Sequence, residues 1–271
     1  METKLNEIEI RNLEFSYKSG NAIPAFRIEI PEWTIGNGDF VSLLGPNGCG
    51  KSTLLKLIAN LIDFTSGHII IEGKNLNELR RNEVAKKIAF VPQKNFTYFP
   101  FSVYEIVLMG RTPYLNMMGF ETSEDRTIVD QAIEVMQIGD LRKKGINELS
   151  GGEAQRVFIA RALAQKAQII LLDEPNAHLD LQHQIMIFDL LKKLNDEGIT
   201  VVTVSHDLNL VGIYSKKIAL MNHGRIVLYG EKSDILNKKN ISEIFKINSI
   251  VFSAAEGKSM NVLINPVSEK I

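Results

Sequence analysis

A glycine-rich segment at residues 45–53 reads GPNGCGKST and matches the pattern G-x-x-x-x-G-K-[ST]. Glycines in such a loop let successive backbone N–H groups converge on phosphate oxygens, and the N-terminus of a following helix adds its positive dipole end. In this chemistry Lys51 reaches the β- and γ-phosphates, and the Ser52 hydroxyl ligates Mg²⁺. The segment therefore predicts a nucleoside triphosphate site. An ordinary glycine turn is disfavoured because a buried strand precedes the loop and a helix follows it.

Two acidic residues follow an apolar run, where the sequence reads IILLDEP. Ligands of open α/β sheets bind at the carboxyl ends of strands, so Asp173 and Glu174 are expected near the phosphates. Asp173 suits a Mg²⁺ ligand, and Glu174 suits a general base for an attacking water. The alternative is that two acids simply end a strand before Pro175.

Two more polar side chains end strand-like runs. His206 follows TVVTVS, where a donor to the γ-phosphate is needed, and Gln93 ends FVPQ, where its amide oxygen could reach Mg²⁺ or the attacking water. A lone histidine is more often structural than catalytic, and each residue alone is moderate evidence. Together with Asp173 and Glu174 they predict one polar constellation at one edge of the sheet.

A second glycine pair begins a strongly helical run, in the segment LSGGEAQR. Ser150 and Glu153 have the spacing of a capping box, which explains the serine and the glutamate. A capping box does not require Gly151 and Gly152, whereas glycines at a helix start let a phosphate approach the exposed N–H groups closely. We therefore expect a second phosphate site. Because the first site is already complete, the second must stay empty or serve the nucleotide of another molecule.

Composition excludes several classes of protein. The chain has 271 residues, 45% hydrophobic and 23% charged, with a net charge of −1, so no global basic field attracts nucleic acid. A single cysteine, Cys49, precludes an intrachain disulfide and fits a reducing compartment. The N-terminus lacks the apolar core of a signal peptide, and no window approaches the length of a membrane span. We expect a chain that is soluble by itself and reaches a membrane only through a partner.

The elements that would position these residues follow from hydrophobic periodicity. Alternating patterns predict strands in the first 35 residues, and nearly continuous apolar runs predict buried parallel strands in DFVSLLG, KIAFVPQ, AQIILLDEP and TVVTVSH. IIIEG is a further strand candidate, and KKIALMNHGRIVLYG predicts a hairpin. STLLKLIANLI predicts a helix, as does LQHQIMIFDLLKKLNDEG, with Ile185, Phe188, Leu191 and Leu194 on its buried stripe and Gly198 as its stop. Helices between buried strands indicate a layered α/β fold with parallel crossovers.

Strand signals stop between Gln93 and Gln165, where three helical patterns predict a helical insertion over roughly 95–165. From Glu231 onward the pattern is that of a short helical tail followed by weak strands.

On these motifs the chain resembles the nucleotide-binding subunits of ATP-binding cassette (ABC) transporters. Residues 45–53 match the Walker A motif, IILLDEP the Walker B motif, LSGGE the family signature, and 178–180 the D-loop. Gln93 matches the Q-loop, and His206 matches the switch histidine. The order and spacing are those of the family over nearly the whole chain. Asn176 departs from the threonine that many members carry after DEP, with little expected consequence.

The resemblance implies an α/β fold of the P-loop NTPase type, with a RecA-like core sheet, an N-terminal antiparallel β subdomain and an inserted α-helical subdomain. It implies an ABC ATPase domain over 4–240, with the helical subdomain at roughly 95–165, and a short C-terminal extension over 241–271. Two such domains would face head to tail as a homodimer. Each ATP would then lie between the Walker A motif of one subunit and the signature of the other, which accounts for the second glycine pair.

The resemblance also implies roles for individual residues. Glu174, His206 and Gln93 would be catalytic, and Ser52, Gln93 and Asp173 would hold Mg²⁺. Tyr17 would stack on adenine, with packing in the core as the alternative role and Trp33 as the competing aromatic. The implied ATP-binding set is Tyr17, Gly45, Pro46, Asn47, Gly48, Cys49, Gly50, Lys51, Ser52, Thr53, Ser150, Gly151 and Gly152.

Within the family, the segment GRTPYLNMMGFETSEDRTIVDQAIEVM, the run HLDLQHQ and the short tail resemble importers of iron–siderophore complexes, haem and cobalamin. Iron–siderophore import is the expectation, with haem, cobalamin, zinc or manganese as alternative cargoes. This resemblance implies integral-membrane permease subunits as partners and, indirectly, an extracytoplasmic substrate-binding protein. It implies no nucleic-acid partner and a peripheral location on the cytoplasmic face of the membrane. The aromatic run at Phe96, Tyr98, Phe99 and Phe101 predicts a docking surface for a permease helix, unless it fills the insertion's own core. A soluble ABC ATPase without a membrane partner is the alternative of another class.

Overall fold

The computed structural model describes residues 6–17, 26–93, 99–115, 119–177, 179–253 and 259–265. The strands and helices in these ranges are β1 (Asn6–Ser16), β2 (Arg27–Gly36), β3 (Phe40–Leu44), α1 (Lys51–Ile58), β4 (Ser66–Ile71), β5 (Lys74–Asn75), α2 (Arg81–Lys87), β6 (Ile88–Val91), α3 (Val103–Leu108), α4 (Ser123–Val135), α5 (Gly151–Ala164), β7 (Ile169–Asp173), α6 (Leu181–Asp196), β8 (Thr200–Val204), α7 (Leu208–Tyr214), β9 (Lys217–Asn222), β10 (Arg225–Glu231), α8 (Lys232–Ile235), α9 (Lys238–Phe245), β11 (Asn248–Ser253) and β12 (Met260–Asn265).

A six-stranded sheet in the order β10-β9-β3-β8-β7-β6 forms the centre of the molecule. Its neighbours from β9 to β6 pair in parallel, and β10 joins antiparallel at the edge. Strands β3, β7 and β8 are buried along their whole length. Successive residues of β7 face opposite cores, since Ile169 and Leu171 join one hydrophobic cluster and Ile170 and Leu172 the other. Burial on both faces explains why these strands are apolar runs without alternation.

A second, antiparallel sheet in the order β2-β1-β4-β5 covers one face of the central sheet. Its edge meets the turn between β9 and β10, where the Glu29 N–H donates to the Gly224 carbonyl oxygen at 2.9 Å. A Cβ at Gly224 would lie 1.8 Å from the Arg27 carbonyl oxygen, and its φ is +76°. Glycine is therefore required both for the hairpin turn and for the contact between the two sheets.

Helices α3, α4 and α5 fill the chain between β6 and β7 and bury their apolar faces in the cluster on the other side of the central sheet. Arg111, which follows α3, links α4 and α5. Its Nε donates to Asp125 Oδ1 at 2.8 Å and its guanidinium to the Ala164 carbonyl oxygen at 2.8 Å, and all of these contacts are buried. The helical insertion expected from the sequence is present, and its exact boundaries stay a prediction.

The C-terminal part consists of α8, α9 and the antiparallel hairpin of β11 and β12, which share a third hydrophobic cluster with α7 and β9. This agrees with the expected short helical tail followed by strands. Within the described ranges, no helix is both long enough and apolar enough to span a bilayer.

Two helix details differ from the sequence expectation. Helix α1 ends at Ile58 instead of continuing to Ile62, because the chain turns at Ala59 and takes a left-handed conformation at Asn60, with φ of 56°. In α6 the expected stripe position Ile185 is exposed, and Ile187 is buried in its place. The buried face of α6 runs through Ile187, Phe188, Leu191 and Asn195, and Ile185 lies outside it. Gly198 ends the helix at φ of 100°, as expected.

Candidate nucleotide site

The phosphate loop lies between the end of β3 and the start of α1 and is fixed by close backbone packing. A Cβ at Gly45 would lie 2.1 Å from the Met221 carbonyl oxygen, and Gly50 has φ of +107°. Lys51 is only 5% exposed, and its Nζ donates to the carbonyl oxygens of Gly45 at 2.8 Å and Pro46 at 3.0 Å. The ammonium group is thus held inside the loop, where it can exchange these carbonyl contacts for phosphate oxygens.

A buried carboxylate lies directly beneath the loop. Asp173 Oδ1 accepts a hydrogen bond from the Ser52 hydroxyl at 2.8 Å. Burial raises the pKa of Asp173, opposed by the Ser52 hydrogen bond and reinforced by the neighbouring Glu174. A buried carboxylate beside a hydroxyl, with its anionic form disfavoured, is a site that a divalent cation would stabilise, so the residues present fit Mg²⁺. The described residues contain no group of three or more His, Cys, Asp or Glu side chains able to hold a metal alone, and phosphate oxygens and water would complete the shell.

Glu174 lies between two polar partners at the mouth of the loop. Gln93 Nε2 donates to Glu174 Oε2 at 2.6 Å, and His206 Nε2 lies 2.8 Å from Glu174 Oε1. Glu174 itself has a left-handed backbone, with φ of 50°, and its N–H donates to the Val204 carbonyl oxygen at 3.1 Å. A non-glycine residue held in this region is strained, and such strain clusters at functional sites. The expected constellation of Asp173, Glu174, His206 and Gln93 is therefore brought together.

A cavity of about 570 Å³ opens above the loop. It is lined by Tyr17, Phe26, Asn47, Gly48, Gly50, Lys51, Ser52, Thr53, Gln93, Glu174 and His206. The other residues predicted for this first site, Gly45, Pro46, Cys49 and Asp173, do not line the cavity.

Of the two candidate aromatics, Tyr17 and not Trp33 faces this cavity. Tyr17 is 52% exposed, and its hydroxyl lies 3.2 Å from Thr53 Oγ1. Trp33 is 3% exposed and packs edge-on against Tyr229 in the core. Phe26 also lines the cavity, with its ring centroid 6.4 Å from that of Tyr17. Sequence reasoning missed Phe26, because an aromatic residue just before a strand carries no signal of a ligand contact.

The second glycine pair forms a separate cavity of about 520 Å³. The capping box is present, since Ser150 Oγ accepts from the Glu153 N–H at 3.3 Å and Glu153 Oε2 accepts from the Ser150 N–H at 2.8 Å. A Cβ at Gly151 would meet nothing within 4 Å, and its φ is not left-handed. Nothing described in this chain therefore requires glycine at Gly151.

Asp180 and His183 are among the further residues that line this second cavity, and sequence reasoning did not single them out for it. Asp180 caps α6 by accepting from the His183 N–H at 2.9 Å, and His183 Nδ1 lies 2.8 Å from Asp180 Oδ1. Phe96, Tyr98 and His178 lie outside the described residues.

Comparison with known proteins agrees with this geometry. The family model described as ABC transporter matches residues 28–177. The chain is 37% identical over 220 residues to the petrobactin import ATP-binding protein FpuC of Bacillus anthracis, which covers 81% of each chain. It is 37% identical over 249 residues to the manganese transport system ATP-binding protein MntB of Listeria monocytogenes, covering 91% of this chain and 99% of MntB.

Two solved structures are similar to this chain in fold as well. An inward-facing putative metal-chelate type ABC transporter superposes with a TM-score of 0.81 at 32% identity, covering 97% of this chain and 98% of the other. A dimeric bacterial ABC transporter cassette superposes with a TM-score of 0.71 at 33% identity, covering 83% of this chain and 98% of the other. The α/β architecture with its antiparallel subdomain is confirmed by these neighbours. The chain therefore belongs to the ABC transporter family, as an ATP-binding and ATP-hydrolysing subunit.

Proposed function

We propose that this ATPase powers the import of iron–siderophore complexes, working as a homodimer beneath integral-membrane permease subunits. The observation that carries the ATPase chemistry is the position of Glu174, whose carboxylate is held by Gln93 and His206 at the mouth of the phosphate loop. The cargo assignment is supported by the likeness to FpuC, whose name states petrobactin import. The equal identity to MntB makes manganese the second candidate cargo. Haem, cobalamin and zinc remain alternatives of the same class.

In this proposal each side chain at the first site has one task. Residues 45–53 bind the triphosphate through backbone N–H groups, and Lys51 moves from loop carbonyls to the phosphates. Glu174 accepts a proton from the attacking water, and His206 donates a hydrogen bond to the γ-phosphate. Tyr17 stacks on the adenine ring.

Ser52, Asp173 and Gln93 would hold Mg²⁺, which neutralises phosphate charge when bound. Gln93 now donates its amide N–H to Glu174, so its amide oxygen is the atom left to approach the metal or the attacking water.

The second site belongs to the nucleotide of a partner copy. Ser150, Gly151 and Gly152 line a cavity that shares no lining residue with the phosphate-loop cavity. Head-to-tail pairing of two copies would bring each glycine pair over the triphosphate held by the other. The dimeric cassette among the structural neighbours supports such pairing.

Membrane attachment would run through a permease, at the cytoplasmic face. The exposed ring of Phe99, which follows the Gln93 segment, is proposed as part of the docking surface. A pull-down from membranes tests this attachment. Recovery of no membrane protein would favour a soluble ABC ATPase without such a partner.

Cargo is tested by transport in the source cell. Lys51→Ala, which removes the phosphate-binding ammonium, should abolish energised uptake of a radiolabelled ferric siderophore and leave manganese uptake intact. Loss of manganese uptake with unchanged siderophore uptake would overturn the cargo assignment and leave the ATPase assignment untouched.

A further inference from the structure

Helix α7 begins two residues after His206, at Leu208, and is held by contacts with the C-terminal hairpin. The Val262 N–H of β12 donates to Asn209 Oδ1 at 2.8 Å. One turn further along α7, a Cβ on Gly212 would lie 2.0 Å from the Met260 carbonyl oxygen. The strand backbone thus lies directly against the helix backbone, and only glycine permits this approach.

Apolar packing also holds α7 against the C-terminal hairpin. Val262 and Val211 are buried in one cluster with Leu44, the residue that ends β3 just before the phosphate loop. Val251 and Met260 of the hairpin pack against the same cluster. The hairpin is therefore part of the packing behind the nucleotide site, although it is distant from that site in sequence.

The far end of α7 is held as well. Lys232 Nζ donates to the Gly212 carbonyl oxygen at 2.8 Å, and the Tyr214 hydroxyl donates to Asp189 Oδ1 of α6 at 2.7 Å. Ser215 Oγ lies 2.6 Å from Ser42 Oγ of β3, in the buried core. His206 thus lies between a buried strand, β8, and a short helix fixed along its length.

We propose that Asn209 is a positioning residue, through which the C-terminal hairpin fixes α7 and thereby holds His206 against Glu174. The inference rests on the proposed role of His206. Without the Asn209–Val262 hydrogen bond, the start of α7 keeps its Asp207 cap and its apolar packing but loses its polar link to the hairpin, and His206 Nε2 spends less time within 2.8 Å of Glu174 Oε1. The hydrogen bond itself does not involve the phosphate loop, so we expect its loss to change kcat and not the KM for ATP.

Steady-state ATP hydrolysis by the purified full chain tests this with a matched pair of variants. Asn209→Ala removes the acceptor and should lower kcat about fivefold with KM unchanged. Asn209→Asp keeps an acceptor oxygen and should restore kcat to near the wild-type value. Asn209 is exposed, so neither change disturbs the core. Ile250→Thr, on the exposed face of the same hairpin, is the control that should leave kcat unchanged.

A double-mutant cycle with His206→Ala separates positioning from stability. If Asn209 acts through His206, Asn209→Ala has no further effect on kcat in the His206→Ala background. An equal loss in both backgrounds, or no loss in the wild-type background, would overturn the inference. If His206→Ala alone left turnover unchanged, the role of His206 would fail, and the ATPase assignment, which rests on the family match, would still stand.

Discussion

At the scale of single residues, the central assignment is Glu174 as general base. Its left-handed backbone and its two partners, Gln93 and His206, fix the carboxylate at the mouth of the phosphate cavity. Glu174→Gln keeps the size and the hydrogen-bonding reach of the side chain but cannot accept the proton from water. We expect kcat to fall about 100-fold or more, with ATP affinity retained, measured by phosphate release and calorimetry.

The same variant should also accumulate as an ATP-bound dimer on a sizing column, since hydrolysis no longer releases the closed state. Glu134→Gln, on the exposed face of α4, serves as a carboxylate-to-amide control outside the site. A Glu174→Gln protein with the normal rate of hydrolysis would show that the base lies elsewhere.

Residue types alone predicted most of the first site, because the loop and the strand-end acids belong to motifs whose spacing carries the chemistry. The choice between Tyr17 and Trp33 was not accessible in this way. It depends on where the fold places each ring, since Trp33 lies in the buried core and Tyr17 follows the last residue of β1. Phe26 was missed because its role comes from the approach of two chain segments.

At the scale of elements, the helical subdomain depends on the buried pair of Arg111 and Asp125. Hydrogen bonding by the Thr122 N–H, and then by Arg111, lowers the pKa of Asp125 below its ordinary value of 3.8. The ionised carboxylate is thus favoured by folding. Its contribution is full above the ordinary pKa and is lost as pH falls through the lowered value.

Asp125→Asn leaves the Arg111 charge buried without its partner and should cost about 3 kcal/mol of unfolding free energy at pH 7. The difference in unfolding free energy between Asp125→Asn and the wild type should narrow as pH falls from 5 towards 2, because the wild-type carboxylate then becomes protonated and neutral as well. Urea unfolding at several pH values measures this. A difference that stays constant with pH would show that the charge of Asp125 does not contribute.

The proposed docking surface also belongs to this scale. Phe99 is 66% exposed, whereas Phe101 is partly buried against the core of the helical subdomain, with the two rings 5.9 Å apart. Phe99→Glu should therefore abolish co-purification with a membrane partner and leave folding intact. Phe101→Glu should also destabilise the fold.

Phe252→Glu, an equally drastic change on the exposed face of the C-terminal hairpin, is the control and should not affect partner binding. Loss of folding in Phe99→Glu, without a separable binding defect, would assign this ring to the subdomain's own packing.

Elements with one environment along their whole length were predictable from sequence. Strands such as β7 are apolar on both faces because both faces are covered. Helix α6 was predictable as a helix, but its buried stripe was misplaced at Ile185, because the buried face runs through Ile187, Phe188, Leu191 and Asn195. The Arg111–Asp125 pair joins residues 14 apart and could not be read from periodicity.

At the scale of the whole molecule, the account depends on two separate cavities in one chain. The phosphate-loop cavity has no lining residue in common with the cavity at Ser150, Gly151 and Gly152, called the signature cavity below. Gly151 has no steric reason within the described chain to be glycine. The two glycine-rich helix starts predict a second copy, and the dimeric cassette among the structural neighbours supports dimerisation. How two copies face each other was not predictable, since it depends on the shape of surfaces assembled from distant segments.

Mixing two inactive variants tests this shared site most directly. Lys51→Ala removes the ammonium group with which a chain binds the triphosphate, and Ser150→Arg blocks the signature cavity of a chain. Each alone should lack ATP turnover, whereas a mixed dimer holds one intact site, so an equimolar mixture should recover about a quarter of the wild-type rate. Full turnover by either variant alone, or a mixture no more active than its separate components, would contradict a catalytic site built from two chains.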